Sequence, residues 1–140
     1  MVSNKYDAVL SYASEQRDYV EQAHFFVTSK GLTVFYDQAQ GSKLWGRDLA
    51  EYLQQLFLHN SKWCIMFISK DYVRKMWPNF ERQHIVARQI SSGEYILPIR
   101  FDDTVVPGLN PNMQYQDGRK LTPKQIADLF ETLYFERPRD

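Results

Sequence analysis

The sequence has 140 residues, and its 17 lysines and arginines balance 17 aspartates and glutamates to a formal net charge of zero. That balance argues against a dominant nucleic-acid or anionic-membrane role, because phosphate binding draws on an excess of basic side chains. No apolar run approaches the roughly 18 residues of a membrane span, and the one cysteine, Cys64, excludes a disulfide framework and a cysteine-rich zinc site. With 44% hydrophobic and 24% charged residues, a single domain over residues 1–140 is expected, its core about 5–136. Met1 to Lys5 lacks a signal peptide's apolar stretch, so a reducing, cytoplasmic setting is expected.

Short apolar runs alternate with longer amphipathic ones. Tyr6 to Tyr12 is strand-like. Residues 15–30 follow with Tyr19, Ala23, Phe26 and Val27 at helical spacing and Gly31 as a stop. Leu32 to Tyr36 is β-branched and aromatic, hence a strand. Asp37 to Gly46 reads as a loop, and Leu49, Tyr52, Leu53, Leu56 and Phe57 then mark one apolar face of a helix. Trp63 to Ile68 is continuously apolar, as suits a strand buried on both faces of a parallel sheet. A short turn around Asp71-Tyr72-Val73 precedes a helix expected to start near Pro78, where the missing N–H costs nothing. Tyr95 to Phe101 is a fourth strand, and Pro98 inside it points to a sheet edge or a bulge. A loop over Asp102 to Asn112 leads to a short fifth strand at Met113 to Gln116. Thr122, Pro123 and Gln125 have the pattern of a capping box with proline at N1. Ile126, Leu129, Phe130, Leu133 and Tyr134 then repeat the helical stripe.

Strands alternating with helices imply an α/β fold with right-handed crossovers. Five strands fit a flavodoxin-like parallel sheet in the order 2-1-3-4-5, with helices on both faces. Ligands in such sheets sit beyond the carboxyl ends of the strands. The loops there are 12–16, 37–48, 69–80 and 102–112.

Several common α/β chemistries fail in these loops. The turn Ser11-Tyr12-Ala13-Ser14-Glu15 has no glycine for a dinucleotide fingerprint, and no phosphate loop of the Walker type is present. The third strand ends in Ser69-Lys70, not in the aspartate of a phosphorelay receiver, and a nucleophile elbow is missing. His24, His59 and His84 show no metal spacing and read as helix-surface or partly buried residues, so no metal site is expected. Cys64 reads as inert packing. Asp102 and Asp103 read as a solvated turn, with Arg100 expected to pair with one of them. What remains is Trp77-Pro78-Asn79-Phe80-Glu81. A ring beside a carboxylate in a helix's first turns suits cleavage at a sugar carbon, because the carboxylate stabilises an oxocarbenium-like transition state and the ring stacks on a flat leaving base. Taken alone, these five residues favour the plainer reading: a glutamate favoured by the helix dipole and a tryptophan that anchors packing.

The chain resembles the Toll/interleukin-receptor homology (TIR) domain in motifs that run in the family's order over nearly its whole length. Tyr6 to Tyr12 resembles the opening strand, Gly31 to Asp37 the second strand, and Leu44 to Leu49 the end of the BB loop, which joins the second strand to the second helix. Ser61 to Ser69 resembles the third strand and Ile96 to Phe101 the fourth. Trp77 and Glu81 match the tryptophan and glutamate, four apart, of the NAD-cleaving members. The resemblance implies hydrolysis of NAD⁺ at the nicotinamide–ribose bond, giving nicotinamide with ADP-ribose or a cyclic ADP-ribose isomer. It places the catalytic glutamate at Glu81 and a product-steering aromatic at Trp77. It lines the substrate site with Tyr12 and Ala13, and borders it with Asp37, Trp45, Gly46, Arg47 and Asp48. NAD⁺ is then the substrate, with no cofactor besides. Other TIR domains are the implied partners, the BB loop of one completing the site of another.

The BB loop lacks the Arg-Asp…Pro-Gly pattern of adaptor-recruiting receptors. Leu133-Tyr134-Phe135 stands where those receptors carry Phe-Trp, and Pro78 follows Trp77 where the plant form has cysteine. The nearest group is therefore the prokaryotic type, with a role in immune or cell-death signalling such as defence against phage. The alternative is a non-enzymatic scaffold acting by homotypic association. Trp45 suits that alternative as an interface anchor, and equally suits folding back on its own domain. A third reading joins the two: an NAD⁺-derived ligand bound as a signal without turnover. Because unregulated NAD⁺ cleavage is toxic, control is expected from assembly or from a regulatory domain or protein outside this chain.

Overall fold

A computed structural model describes residues 6–36, 46, 61–75, 95–110 and 112–138. The helices expected at Leu49 to Phe57 and from Pro78 onward lie outside the described residues. Strand β1 is Tyr6–Ser11. A 3-10 turn at Ser14–Gln16 leads into helix α1, Arg17–Thr28. Strand β2 is Val34–Phe35, β3 is Ser61–Ile68, and helix α2 is Lys70–Lys75. Strands β4, Ile96–Arg100, and β5, Gln116–Asp117, precede helix α3, Pro123–Glu136. The five strands form one sheet in the order β2-β1-β3-β4-β5, the order expected from the sequence. Every pairing is parallel.

Strand β3 is buried on both faces, as its unbroken apolar run requires. Trp63, Ile65 and Phe67 face α1 and α3, packing with Val20, Val27, Ile126 and Phe130. Cys64, Met66 and Ile68 face the other way and pack with Val9, Tyr72 and Tyr95. Cys64 is a free, fully buried thiol within that packing. Helix α1 buries Val20, Ala23 and Val27 and ends ahead of Gly31, whose φ of +85° suits a residue without a Cβ.

At the amino ends of the strands a polar cluster ties sheet to helix. Asp7 Oδ2 accepts from the Thr33 amide at 2.7 Å and Asp7 Oδ1 accepts from the Tyr134 hydroxyl at 2.6 Å. Lys62 Nζ lies 3.5 Å from the same Oδ1 and donates to Tyr134 at 3.0 Å. Burial works to raise the Asp7 pKa, but the bonds from Tyr134 and Thr33 and the Lys62 charge outweigh it and hold the carboxyl below its ordinary value.

Three expectations shift. Strand β2 is shorter than Leu32 to Tyr36, because the Thr33 amide is taken by the Asp7 carboxylate rather than by the sheet ladder. Strand β5 begins at Gln116 rather than Met113: the Met113 amide donates to the Asn110 carbonyl in a turn, and the Met113 side chain packs on the core. The turn near Asp71 is a full helix, Lys70–Lys75. Pro98 does stand near an edge, since β5 pairs with β4 only at Ile99 and Arg100.

Helix α3 starts on the capping box read in the sequence. The Gln125 amide donates to Thr122 Oγ1 at 3.2 Å, and the Gln125 side chain accepts from the Thr122 amide at 2.8 Å. Ile126, Ala127 and Phe130 are buried on the sheet, whereas Leu129 remains 42% exposed. Thr122→Ala removes one half of the box and should lower stability by about 1 kcal/mol. Urea unfolding should show a lower midpoint with an unchanged slope; an unchanged midpoint contradicts the capping role.

Candidate active site

The carboxyl ends of β1 and β3 lie side by side, with Ser11 in register with Met66. The segments that follow the two strands therefore meet. After β1 come Tyr12, Ala13 and the turn Ser14–Gln16; after β3 come Ser69 and α2. Three polar ties join them. The Ser11 and Tyr72 hydroxyls are 2.6 Å apart, and both residues are buried. The Ser69 hydroxyl donates to Gln16 Oε1 at 3.0 Å and accepts from the Tyr72 amide at 3.0 Å, so it caps α2 and holds the turn at once. Lys75 Nζ donates to Glu15 Oε2 at 2.5 Å, and this contact holds the Glu15 carboxyl below its ordinary value.

The start of α2 is also tied to the loop after β4. Asp102 Oδ2 accepts from the Lys70 amide at 2.9 Å, and Asp102 Oδ1 accepts from the Thr104 amide at 3.0 Å. Asp102, expected in a solvated turn, is partly buried and clasps two backbone amides. Arg100 departs from its expected pairing with an aspartate. Asp102 is engaged by backbone amides, and Asp103 pairs with Arg119 at 3.4 Å. The Arg100 guanidinium instead lies over the Tyr115 ring at 4.5 Å, and its Nε is buried without a hydrogen bond among the described residues.

Tyr12 and Ala13, which the resemblance gives as lining the substrate site, follow directly on β1 with both side chains packed inward. Tyr12 packs on the α1 face and Ala13 on the α2 face. The Tyr12 ring lies 5.6 Å from Tyr36, which in turn lies 5.1 Å from His24 on α1. Tyr36 is the residue before Asp37, so this aromatic trio holds the chain at the last described residue ahead of Asp37. Gly46 is exposed, with a φ of +80° that glycine adopts at no steric cost. Asp37, Trp45, Arg47, Asp48, Trp77 and Glu81 lie outside the described residues, as do His59 and His84. The described residues of α2 end at Lys75, two residues before Trp77.

The sequence reading passes over Ser11, Ser69 and Tyr72. Their signal is a serine closing an apolar strand and a Ser-x-x-Tyr opening the next helix: each puts a hydroxyl among apolar neighbours, and buried hydroxyls need partners. Among the described residues, no group of three or more His, Cys, Asp or Glu side chains is placed to hold a metal ion. No described helix is long and apolar enough to cross a membrane. A groove of about 350 Å³ opens between α3 and the β4–β5 edge, lined by Leu97, Tyr115, Leu129 and Leu133 among others, on the flank of the sheet.

His24 is half-buried. Burial lowers its pKa from the ordinary 6.5, and the charge of Glu21 only partly opposes this. Below pH 6.5 the unfolded chain then binds a proton more readily than the folded one, so the His24 contribution to stability is full above pH 6.5 and is lost as pH falls. His24→Phe keeps a ring against Tyr36 without the titration. Denaturant unfolding from about pH 7.5 to about pH 5.5 should show a shallower fall in the variant than in wild type. Parallel curves would contradict the buried, neutral imidazole.

Comparison with known proteins agrees with this architecture. The family model described as the TIR domain matches residues 9–134, and the chain belongs to the TIR domain family. It is 41% identical over 130 residues to a 3' cyclic ADP-D-ribose synthase of Aquimarina amphilecti, a match covering 92% of this chain and 40% of that protein. It is 31% identical over 98 residues to an NAD(+) hydrolase of a Theionarchaea archaeon, covering 69% of this chain and 29% of that protein. The chain thus spans well under half the length of either relative. In fold it is similar to the TIR domain of a Toll-related receptor from Hydra magnipapillata, with a TM-score of 0.66 at 23% identity over 96% of this chain and 99% of that one.

Proposed function

We propose that this TIR domain cleaves NAD⁺ at the nicotinamide–ribose bond and releases nicotinamide with a cyclic ADP-ribose isomer or ADP-ribose. The observation that carries the reading is the 41% identity, over 92% of this chain, to a cyclic ADP-ribose synthase. The similarity to an NAD(+) hydrolase supports the same bond as the target. The fold adds that the segments 12–16 and 69–75 meet at the carboxyl end of the sheet, where open α/β sheets bind ligands.

Glu81 is the proposed catalytic carboxylate. It engages the nicotinamide-side ribose and stabilises the positive charge that develops at its anomeric carbon. The bonding pair leaves with the pyridine nitrogen, so cationic nicotinamide departs neutral and needs no general acid. One carboxylate therefore suffices where most glycosidases use two. Water then attacks the anomeric carbon and loses a proton to give ADP-ribose, or a nucleophile of the same molecule closes the ring to a cyclic isomer. Trp77 holds a flat ring of the substrate and so biases this partition. Tyr12 and Ala13 line the site, and Asp37 and the Trp45-Gly46-Arg47-Asp48 stretch border it. NAD⁺ is substrate, not cofactor, and the chemistry calls on no metal. Assembly with other TIR domains through the 37–48 loop completes the site, in a cytoplasmic immune or cell-death setting.

The test incubates purified protein with NAD⁺ at high protein concentration with a crowding agent, and follows nicotinamide and ADP-ribose isomers by chromatography and mass spectrometry. Wild type should release nicotinamide. Glu81→Gln should lose at least ~100-fold in rate, the scale of one transition-state charge contact. Trp77→Ala should change the ratio of cyclic to linear product. Wild type that scatters light as an assembly yet releases no nicotinamide would instead favour the scaffold.

A further inference from the structure

We propose that Arg100 is the anion-binding group of a small pocket at the carboxyl end of β4, and that the pocket takes a short-chain organic monocarboxylate. The site shares no residue with those assigned to NAD⁺ cleavage and stands or falls apart from that reading.

Arg100 is the last residue of β4, in register with Ile68 of β3 and Asp117 of β5. Strand alternation puts it on the same face as Ile96 and Pro98. The carboxylates nearest to it in sequence or register are committed elsewhere. Asp102 accepts from the Lys70 and Thr104 amides, and Asp103 and Asp117 both pair with Arg119. Among the described residues Arg100 keeps the Tyr115 ring, 4.5 Å away, which attracts the charge but offers its nitrogens no acceptor oxygen in the ring plane. Its Nε is buried without a hydrogen bond. A partly buried cation without a counter-charge is costly to keep, and it gains from an anion that reaches it.

The Arg100 side chain lines a cavity of about 50 Å³. Most of the remaining wall is apolar: Ile68 and Pro98 from the sheet, and Val106, Leu109 and Met113 from the segment after β4. A space of that size takes about four waters, or an organic acid of about six heavy atoms. The walls then select the class of acid. One guanidinium matches one carboxylate through two parallel N–H···O bonds. A phosphate would bring a second charge and further oxygens against walls with few donors for them. An alkyl chain replaces water on the apolar side chains at a gain. Charge complementarity and size therefore agree on one occupant, a monocarboxylate with a chain of about three carbons.

The test titrates the full chain with sodium butyrate at constant ionic strength. It follows the Arg100 Nε–H resonance by proton–nitrogen NMR, assigned by its absence from the Arg100→Lys spectrum. The resonance should shift saturably with a Kd on the order of 1 mM, the range for about six heavy atoms held by one charged contact. Butyramide, the same shape without the charge, should bind at least about 10-fold more weakly. Arg100→Met keeps a long apolar side chain without the cation. It should lose butyrate affinity by at least about 10-fold, read from the Val106 and Leu109 methyl resonances, with a cooperative urea transition showing that it is folded. Should that variant not fold, butyrate against butyramide on wild type decides alone. A linear drift without saturation overturns the proposal. So does butyramide binding as tightly as butyrate, because the pocket is then apolar only. Unchanged butyrate affinity in folded Arg100→Met also overturns it, since the anion is then held elsewhere. Inorganic phosphate binding more tightly than butyrate overturns the carboxylate as the occupant.

Discussion

Everything in this fold hangs on β3 being buried on both faces. Its eight residues pair with β1 on one side and β4 on the other, and alternate side chains feed two separate cores. Such a strand has no tolerance for slipping by one residue, because Trp63, Ile65 and Phe67 would exchange faces with Cys64, Met66 and Ile68. The register with β1 is therefore fixed, and Ser11 stands opposite Met66. The segments that leave the two strands are brought together by that register.

Polar groups then secure the two ends of the sheet in different ways. At the amino end, Asp7, Thr33, Lys62 and Tyr134 tie β1, the approach to β2, β3 and α3 into one cluster, much of it reached by charge-assisted bonds. At the carboxyl end, neutral hydroxyls at Ser11, Ser69 and Tyr72 make the buried ties, and the ion pair between Glu15 and Lys75 is partly exposed. The first cluster anchors packing. The second joins the segments that follow β1 and β3.

The sheet order, the doubly buried strand, the stop at Gly31 and the Thr122 capping box were legible in the sequence, because each follows from local periodicity or local hydrogen bonding. Strand ends were less legible. The start of β5 depends on a turn at Asn110 that competes for the Met113 amide, and the start of β2 depends on a carboxylate 26 residues away. Arg100 was misread for the same reason: sequence neighbours Asp102 and Asp103 are claimed by backbone amides and by Arg119, and the aromatic partner Tyr115 arrives from beyond the loop. Tyr12 and Ala13, expected from the family motif to line the site, are both buried, each in a different one of the two cores. The hydroxyl pair of Ser11 and Tyr72, 61 residues apart, has no local signature that ties one to the other.

The family is carried by motifs over residues 9–134, and the likeness in fold extends to an animal receptor domain at 23% identity, which speaks to architecture alone. The most direct measurement is a structure of Glu81→Gln with NAD⁺ bound. The nicotinamide-side ribose should lie beyond the ends of β1 and β3, within hydrogen-bond distance of the side chain at position 81 and beside Trp77. NAD⁺ seated instead in the groove between α3 and the β4–β5 edge, away from residue 81, would contradict a catalytic site built on these loops.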